Sequence, residues 1–257
     1  MATSTGLVLA STPIPKVRVI AFNRPEKRNA LSQPLIDQFL QELSSAARDS
    51  GIHAIVITGS ASVFSAGADI KEIASLDAEA AQRCRYLEDL CNGMQSVRKP
   101  LLASVEGMAL GGGFEVALMC DLIMTSHQAQ FGLPEVKIGL IPGAGGTQRL
   151  TNTVGKFKAM EMILLGTSIT SQEAKSYGLV ADIFEPGTVL KNSLTVAARL
   201  AELSPGALSL AKEAIRRSDD KGRDDDFERS LYYSAFSSSH KKEGISAFLE
   251  KRSPKWQ

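Results

Sequence analysis

The sequence predicts an α/β fold in which a buried parallel sheet is followed by a helical C-terminal segment. Over the first two thirds of the 257 residues, short apolar runs alternate with helical periodicity, a pattern typical of β-α units. The runs are apolar on both faces, which favours strands of a parallel sheet that is covered on both sides. From Val189 onward only helical periodicity remains.

Each element has its own signal. Five runs rich in Val, Ile and Leu predict strands: Val17–Phe22, Ala54–Thr58, Leu101–Val105, 122–125 and 179–184. Ser32 is a predicted N-cap for a helix that ends near Gly51. Asp77 is expected to cap one further helix, which carries Cys84 and Cys91 on one face and stops before Pro100.

Further helix signals follow along the chain. Thr170 and Glu173 form a capping-box pattern for a short helix ending at Gly178. Ser204 followed by Pro205 marks the start of a helix in the C-terminal segment. The acidic stretch 219–226 is either a charged helix entry or a solvated loop, and we favour the loop.

The composition excludes several classes of function. The net charge is +1, so no broad basic field favours nucleic acid or a membrane surface. No apolar run approaches the roughly 18 to 20 residues that a membrane span needs, and the first residues lack a secretory signal. The three cysteines form no disulfide framework. We therefore expect an intracellular protein, of the cytoplasm or of an organelle matrix.

Two glycine-rich segments are candidates for a site, 107–115 and 141–148. In the first, Gly111, Gly112 and Gly113 follow a strand and precede a helix, so amide groups at the helix start are available to an anion. A tight turn with close helix packing explains the same glycines. The second segment is either an anion nest or a flexible helix entry.

Two glutamates lie beside these segments. Glu115 directly follows the glycine triplet, and Glu135 lies twenty residues further on. Burial raises the pKa of a carboxyl group, which suits acid or base work near neutral pH. The alternative is that Glu115 is a helix-dipole partner and Glu135 an ordinary loop acid. The three histidines, His53, His127 and His240, have no metal-ligand spacing, so we expect them to be structural and predict no metal.

Together these segments resemble the crotonase family, which includes the enoyl-CoA hydratases and isomerases. The resemblance rests on six stretches in the family's order and spans most of the chain: 23–31, 64–71, 109–121, 131–135, 141–150 and 248–252. It implies a spiral of ββα turns forming two nearly perpendicular sheets in residues 1–190. It also implies a helical segment, 191–257, used in trimer contacts, with trimers often paired into hexamers.

The resemblance also implies roles for individual residues. Two backbone N–H groups, those of Ala68 and Gly112, would hold the thioester oxygen as charge develops on it. Hydratases of the family place two glutamates around one water, and Glu115 and Glu135 match them. The implied reaction adds water to a trans-2-enoyl-CoA and yields a 3-hydroxyacyl-CoA. Glu115 would activate the water and Glu135 would protonate C2.

The coenzyme A part belongs to the substrate, so no separate cofactor is expected. The resemblance places it along a loop whose candidate contact residues are Ala66, Ala68, Asp69, Ile70 and Lys71. Lys27 and Lys71 are candidates for the phosphates, and Lys251 for the nucleotide of an adjacent subunit. Each of these lysines can also be an ordinary surface residue.

Two other functions stay open at this point. An enoyl-CoA isomerase or another crotonase-type lyase would use the same oxyanion loop, and an isomerase needs only one acid–base carboxylate. A non-catalytic binding protein, for RNA for example, would need a lysine-rich helix stripe. The helix that follows Ser32 carries only Arg48, which disfavours this reading.

Overall fold

The computed structural model describes residues 6–85, 87–220 and 225–255. Within these ranges ten strands form two sheets. The six-stranded sheet contains β1 (Val8–Ile14), β2 (Val17–Phe22), β3 (Ala54–Thr58), β5 (Leu101–Val105), β7 (Leu122–Ser126) and β10 (Asp182–Phe184), in that order. The four-stranded sheet contains β4 (Val63–Ser65), β6 (Met108–Leu110), β8 (Gln130–Gly132) and β9 (Ser168–Thr170).

The larger sheet confirms the predicted parallel strands. Strands β2, β3, β5, β7 and β10 pair in parallel, and β1 pairs antiparallel with β2 at one edge. Every residue of β3 and β5 is buried, as expected for strands covered on both faces. The run 179–184 is shorter as a strand than predicted, because only Asp182–Phe184 pairs with β7.

Twelve α-helices lie in the same described ranges. They are α1 (Gln33–Arg48), α2 (Ile70–Ala74), α3 (Ala78–Arg83), α4 (Glu88–Ser96), α5 (Gly112–Leu118), α6 (Gly146–Val154), α7 (Lys156–Leu165), α8 (Ser171–Ser176), α9 (Val189–Ala201), α10 (Pro205–Asp220), α11 (Asp225–Phe236) and α12 (Ser239–Leu249). Two 3-10 helices, Pro25–Lys27 and Glu135–Ile138, join them.

The local signals account for most helix ends. Ser32 is the N-cap of α1, although its side chain makes no capping hydrogen bond. Instead the carboxylate of Glu72 accepts a hydrogen bond from Gln33 N at 2.9 Å, which satisfies one N–H of the first turn. The capping box of Thr170 and Glu173 is present at the start of α8.

The prediction of one helix from Asp77 to Val97 is wrong. Asp77 does cap α3, where its side chain accepts from Ala80 N at 2.7 Å. The helix then stops, and Leu87 adopts a left-handed conformation with φ 66° before α4 begins. The break allows Leu87 to be buried while Cys84 is exposed and Cys91 is buried, so these two cysteines do not share a face.

The C-terminal segment is helical, as predicted, and its helices lie in different places. Helix α9 covers the second face of the larger sheet, where Ala197 and Ala201 pack in one cluster with Val17, Val19 and Val56. The predicted boundary between residues 190 and 191 lies inside this helix, and a domain division there stays a prediction. In the acidic stretch 219–226, residues 219–220 end α10 and residues 225–226 begin α11. The loop prediction is therefore wrong for these four residues, and 221–224 lie outside the described residues.

Candidate active site

Glu115 is a buried carboxylate in the first turn of α5. Only 1% of it is exposed, and its Oε1 accepts hydrogen bonds from Ala144 N and Gly146 N, both at 2.8 Å. Hydrogen bonds from backbone N–H groups stabilise an ionised carboxylate away from water. The glycine-rich segment 141–148 is therefore an anion nest whose anion is Glu115.

The conformation of this nest depends on two glycines, Gly145 and Gly146. A Cβ built on Gly146 would lie 2.7 Å from Glu115 Oε1, which is too close for a real contact. Gly145 has φ +84°, a conformation that is open to glycine at little cost. Gly146 is thus required for the backbone to approach the carboxylate, and Gly145 supplies the left-handed conformation between the two donors.

Glu135 approaches the glycine turn that precedes Glu115, formed by Gly111 and Gly112. It is the first residue of the 3-10 helix Glu135–Ile138, and its Oε1 lies 3.0 Å from the position of a Cβ built on Gly111. A Cβ on the next residue, Gly112, would lie 4.0 Å from Glu115 Oε2. The structure therefore brings both predicted glutamates to the turn formed by Gly111 and Gly112.

Two predicted backbone donors meet at this turn. Gly112 is the first residue of α5, so its N–H has no acceptor within the helix. Ala68 pairs with Leu31 in an isolated parallel bridge, in which Leu31 N donates to Gly67 O and Asp69 N donates to Leu31 O. The N–H of Ala68 consequently points away from Leu31. A Cβ on Gly112 would lie 3.8 Å from Ala68 N, so the two residues that carry these N–H groups are close neighbours.

The third glycine of the triplet has a packing role. A Cβ on Gly113 would lie 2.6 Å from the Cβ of the buried Ser65. The packing explanation is therefore correct for Gly113, which lets α5 pack against β4, whereas the binding of an anion by the amide groups at the start of α5 stays a prediction.

The predicted coenzyme A loop contains side chains with different environments. The carboxylate of Asp69 caps α2 by accepting from Lys71 N at 3.1 Å and also binds Arg24 at 2.7 Å. Ala66 N donates to Arg28 O, and Ile70 is half-buried. The candidate phosphate ligands, Lys27, Lys71 and Lys251, are all exposed. Their contact with a phosphate stays a prediction.

Sequence reasoning missed three residues that support the site. Asn29 is fully buried and donates to the carbonyls of Val63 and Phe64. Arg24 binds Asp69, and Arg149 is buried in α6 with 7% exposure. All three lie in stretches that carry the family resemblance, 23–31 and 141–150, but the sequence alone does not distinguish a buried arginine or asparagine from one on the surface.

Two of the three histidines, which we expect to be structural, contact residues outside the candidate site. His53 Nδ1 lies 3.0 Å from Ala201 O, and His127 Nε2 lies 3.6 Å from a carboxylate oxygen of Glu185. Among the described residues, no group of three or more His, Cys, Asp or Glu side chains is placed to hold a metal ion. Nor does any helix of the described ranges combine the length and the apolar character that crossing a membrane requires.

A cavity of about 720 Å³ lies elsewhere, between α4, the end of α5 and α10. Its lining includes Leu118, Cys120, Leu208 and Ile215 but neither Glu115 nor Glu135. Burial raises the pKa of the Cys120 thiol, which disfavours the nucleophilic thiolate. This cavity is therefore separate from the two carboxylates, where the groups capable of acid–base chemistry lie.

Comparison with known proteins identifies the family. Residues 15–257 match the family model described as "Enoyl-CoA hydratase/isomerase". The chain is 44% identical over 241 residues to the 2,3-dehydroadipyl-CoA hydratase of Escherichia coli K12, covering 93% of this chain and 94% of the relative. It is 42% identical over 238 residues to the mitochondrial enoyl-CoA hydratase of Pongo abelii, covering 92% and 82%.

The solved structures agree with the sequence matches. The crystal structure of an enoyl-CoA hydratase subunit I from Geobacillus kaustophilus is 39% identical, with a TM-score of 0.82 and coverage of 99% of each chain. This likeness confirms the crotonase-type α/β fold that the sequence resemblance implied. The chain belongs to the enoyl-CoA hydratase/isomerase family.

Proposed function

We propose that this protein is an enoyl-CoA hydratase, which adds water to a trans-2-enoyl-CoA and forms a 3-hydroxyacyl-CoA. One observation carries the proposal. Two glutamates, Glu115 and Glu135, approach a single glycine turn at which Ala68 and Gly112 are close neighbours. An acyl-CoA thioester is the substrate class consistent with the family.

The two N–H groups suit the charge that the reaction creates. When oxygen adds to C3 of the enoyl thioester, electron density moves through C2 to the thioester oxygen. Donors fixed in place before the reaction stabilise this oxyanion without reorganisation. We assign this task to Ala68 and Gly112, whose positions are fixed by the bridge to Leu31 and by the start of α5.

The two carboxyl groups account for the protons. Glu115 in its ionised form takes a proton from water as the water oxygen bonds to C3, and Glu135 in its protonated form delivers a proton to C2. The nest holds Glu115 Oε1 with two hydrogen bonds, which leaves Oε2 on the side of Gly112. Exchange of a proton with solvent then restores the starting state of the two carboxyl groups.

The test is hydration of crotonyl-CoA, followed as loss of the absorbance of the conjugated thioester. We expect rapid turnover by the wild-type protein and a decrease of at least about 10²-fold for Glu115→Gln and for Glu135→Gln. Glu79→Gln, at an exposed position on α3, is the matched control and should keep full activity. A protein that neither hydrates crotonyl-CoA nor binds coenzyme A would refute the proposal.

The same variants separate hydration from isomerisation. An isomerase shuttles one proton and needs one carboxylate, so full activity of Glu115→Gln towards a 3-enoyl-CoA would favour that function. Turnover of neither crotonyl-CoA nor a 3-enoyl-CoA, together with tight binding of coenzyme A, would indicate a different acyl group. A panel of enoyl-CoAs should then include a dicarboxylic one, since a relative is named for 2,3-dehydroadipyl-CoA.

We assign the coenzyme A moiety to the loop of Ala66, Ala68, Asp69, Ile70 and Lys71, and its phosphates to Lys27, Lys71 and a neighbouring subunit's counterpart of Lys251. No cofactor beyond the substrate takes part in this scheme. Exposed ion pairs contribute little, so alanine at any one of the three lysines should weaken binding of the substrate by roughly 1 kcal/mol or less. This loss should raise KM several-fold and leave kcat unchanged.

We also propose a homotrimer, or a hexamer made of two trimers. Large apolar side chains are exposed on α7 and α10: Phe157 is 88% exposed, Leu164 66%, Leu210 68% and Ile215 70%. Apolar groups clustered on a surface favour association between chains. Light scattering coupled to size exclusion distinguishes the monomer, trimer and hexamer directly.

A further inference from the structure

Arg149 is a buried arginine placed behind the proposed catalytic carboxylate. Only 7% of it is exposed, and its Nη1 donates a hydrogen bond of 2.8 Å to the carbonyl of Ala144. Burying a guanidinium is costly, and an apolar side chain of similar size often serves folding as well. Stability of the fold alone therefore does not explain why an arginine is buried at this position.

The carbonyl that Arg149 binds belongs to the peptide group between the two N–H donors to Glu115. This group joins Ala144 to Gly145 and lies between the two peptide groups whose N–H bonds, from Ala144 and Gly146, reach Glu115 Oε1. Because each peptide group is planar, the orientation of the two flanking N–H groups relative to each other depends on the φ and ψ torsions of Ala144 and Gly145. Holding the Ala144 carbonyl restricts these torsions and therefore restricts the directions that the two donors can take.

The guanidinium and the loop also fit each other sterically. A Cβ built on Gly145 would lie 1.8 Å from Arg149 Nη1, so the guanidinium occupies the space that a side chain at 145 would need. The backbone N–H of Arg149 donates to Gly145 O at 2.9 Å. Arg149 therefore holds this loop with both its backbone and its side chain.

We propose that Arg149 is a positioning residue for hydration, which acts on the reaction through the Ala144–Gly146 loop and Glu115. The guanidinium holds the loop, the loop N–H groups hold Oε1, and Oε2 is thereby kept towards Gly112. This inference rests on the proposed role of Glu115. Its consequence is that loss of Arg149 slows the chemical step and leaves substrate binding nearly intact.

The experiment is a double-mutant cycle on crotonyl-CoA hydration with Arg149→Met, Glu115→Gln and the double variant. Arg149→Met should lower kcat about 10- to 100-fold, the range seen when a partner that orients a metal ligand is lost, and change KM by about twofold or less. In the Glu115→Gln background the same substitution should change kcat less than about threefold, because residues acting in series are not additive.

The pH profile supplies a second readout. The loop N–H groups favour the ionised carboxylate, so a loosened loop should move the acidic limb of kcat to higher pH in Arg149→Met. A general loss of stability would not move it. Arg149→Lys keeps the charge with a single point-like donor and should recover part of kcat.

Arg216→Met is the matched control. Arg216 also donates to a backbone carbonyl, that of Gln95 at 2.6 Å, but it lies on α10, and its loss should leave kcat unchanged. Circular dichroism and thermal unfolding check that each variant is folded. If Arg149→Met does not fold, Arg149→Lys enters the cycle under the same criteria.

Three results would overturn the inference. A folded Arg149→Met with wild-type kcat would show that the loop needs no arginine. An equal decrease in the Glu115→Gln background would show that Arg149 acts independently of Glu115. Full activity of Glu115→Gln itself would remove the residue through which Arg149 acts, and this outcome alone would also contradict the proposed catalytic role.

Discussion

Arg24 Nη1 and Asp69 Oδ2 form an ion pair of 2.7 Å that joins two segments 45 residues apart. Both side chains are mostly buried, with 17% and 15% exposed. Arg24 also donates to Ala30 O, and the second oxygen of Asp69 caps α2 at Lys71 N. Because Ala68 directly precedes Asp69, the pair fixes one of the two proposed oxyanion donors.

Replacing Asp69 by Asn should lower the free energy of unfolding by about 1 to 3 kcal/mol at neutral pH, because a mostly buried arginine loses the nearer of its two counter-charges, Asp69 at 2.7 Å and Glu26 at 3.9 Å. Burial acts to raise the pKa of Asp69, but the hydrogen bond and charge of Arg24 outweigh it and hold this pKa below the ordinary 3.8. A depressed pKa stabilises the fold above 3.8, and this stabilisation is lost as pH falls through the lower folded-state value.

Urea unfolding of wild type and Asp69→Asn checks this. The difference between the two should be constant from about pH 8 to about pH 5 and shrink only below the ordinary aspartate pKa. Asp37→Asn, at an exposed position on α1, is the control and should change little. A difference that already declines near neutral pH would argue against the Arg24 pairing.

Gly67 carries the backbone into the predicted oxyanion loop. It has φ +94°, and a Cβ there would lie 2.8 Å from Leu110 O and 3.3 Å from Gly112 N. Gly67→Ala should therefore displace at least one donor and lower kcat about 10²- to 10³-fold. Steady-state hydration kinetics measure the effect.

Gly178→Ala is the control for backbone strain alone. Gly178 also has a positive φ, +75°, but a Cβ there meets nothing within 4 Å. This variant should lose about 1 kcal/mol of stability and keep its kcat. Equal kinetic effects of the two substitutions would mean that strain, and not the donors, explains the loss.

Lys241 connects α12 to the end of α2. It is 3% exposed, and its Nζ donates to Ile73 O at 2.8 Å and to Leu76 O at 2.6 Å. Lys241→Met should cost about 1 to 3 kcal/mol and speed hydrogen exchange in residues 70–76. The neighbouring exposed Lys242 provides the control, Lys242→Met, for which neither quantity should change.

Gly244 lets α12 lie directly on the 3-10 helix that carries Glu135. A Cβ on Gly244 would lie 2.5 Å from Ile138 C, so Gly244→Ala must push the two elements apart. A displacement near 1 Å at a catalytic group can cost about 10²-fold in rate, and we expect a decrease in kcat of up to that size. Hydration kinetics at saturating substrate report it.

Gly206→Ala tests whether any glycine in the C-terminal helices would behave this way. A Cβ on Gly206 in α10 meets nothing within 4 Å, and alanine favours a helix. We expect unchanged kcat and no loss of stability. An unaffected Gly244→Ala would show that Glu135 does not depend on α12.

The sequence predicts features that depend on near neighbours in the chain. The strands Val17–Phe22, Ala54–Thr58 and Leu101–Val105 agree with the structure at both ends, because a strand that is buried on both faces is a nearly continuous apolar run, interrupted here by Arg18, Thr58 and Ser104. The Thr170–Glu173 capping box is equally local. The break at Leu87 was missed because burial of this side chain in the core outweighs the helical periodicity around it.

The sequence by itself determined the parallel α/β class, the helical C-terminal segment and, through the family resemblance, the choice of Glu115 and Glu135. Only the tertiary structure decided that the second glycine segment binds Glu115, that Arg149 holds this segment, and that Arg24 pairs with Asp69. These contacts join residues whose separation carries no periodic signal. They exist because a buried charge must find a partner or a donor, and the fold determines which groups are within reach.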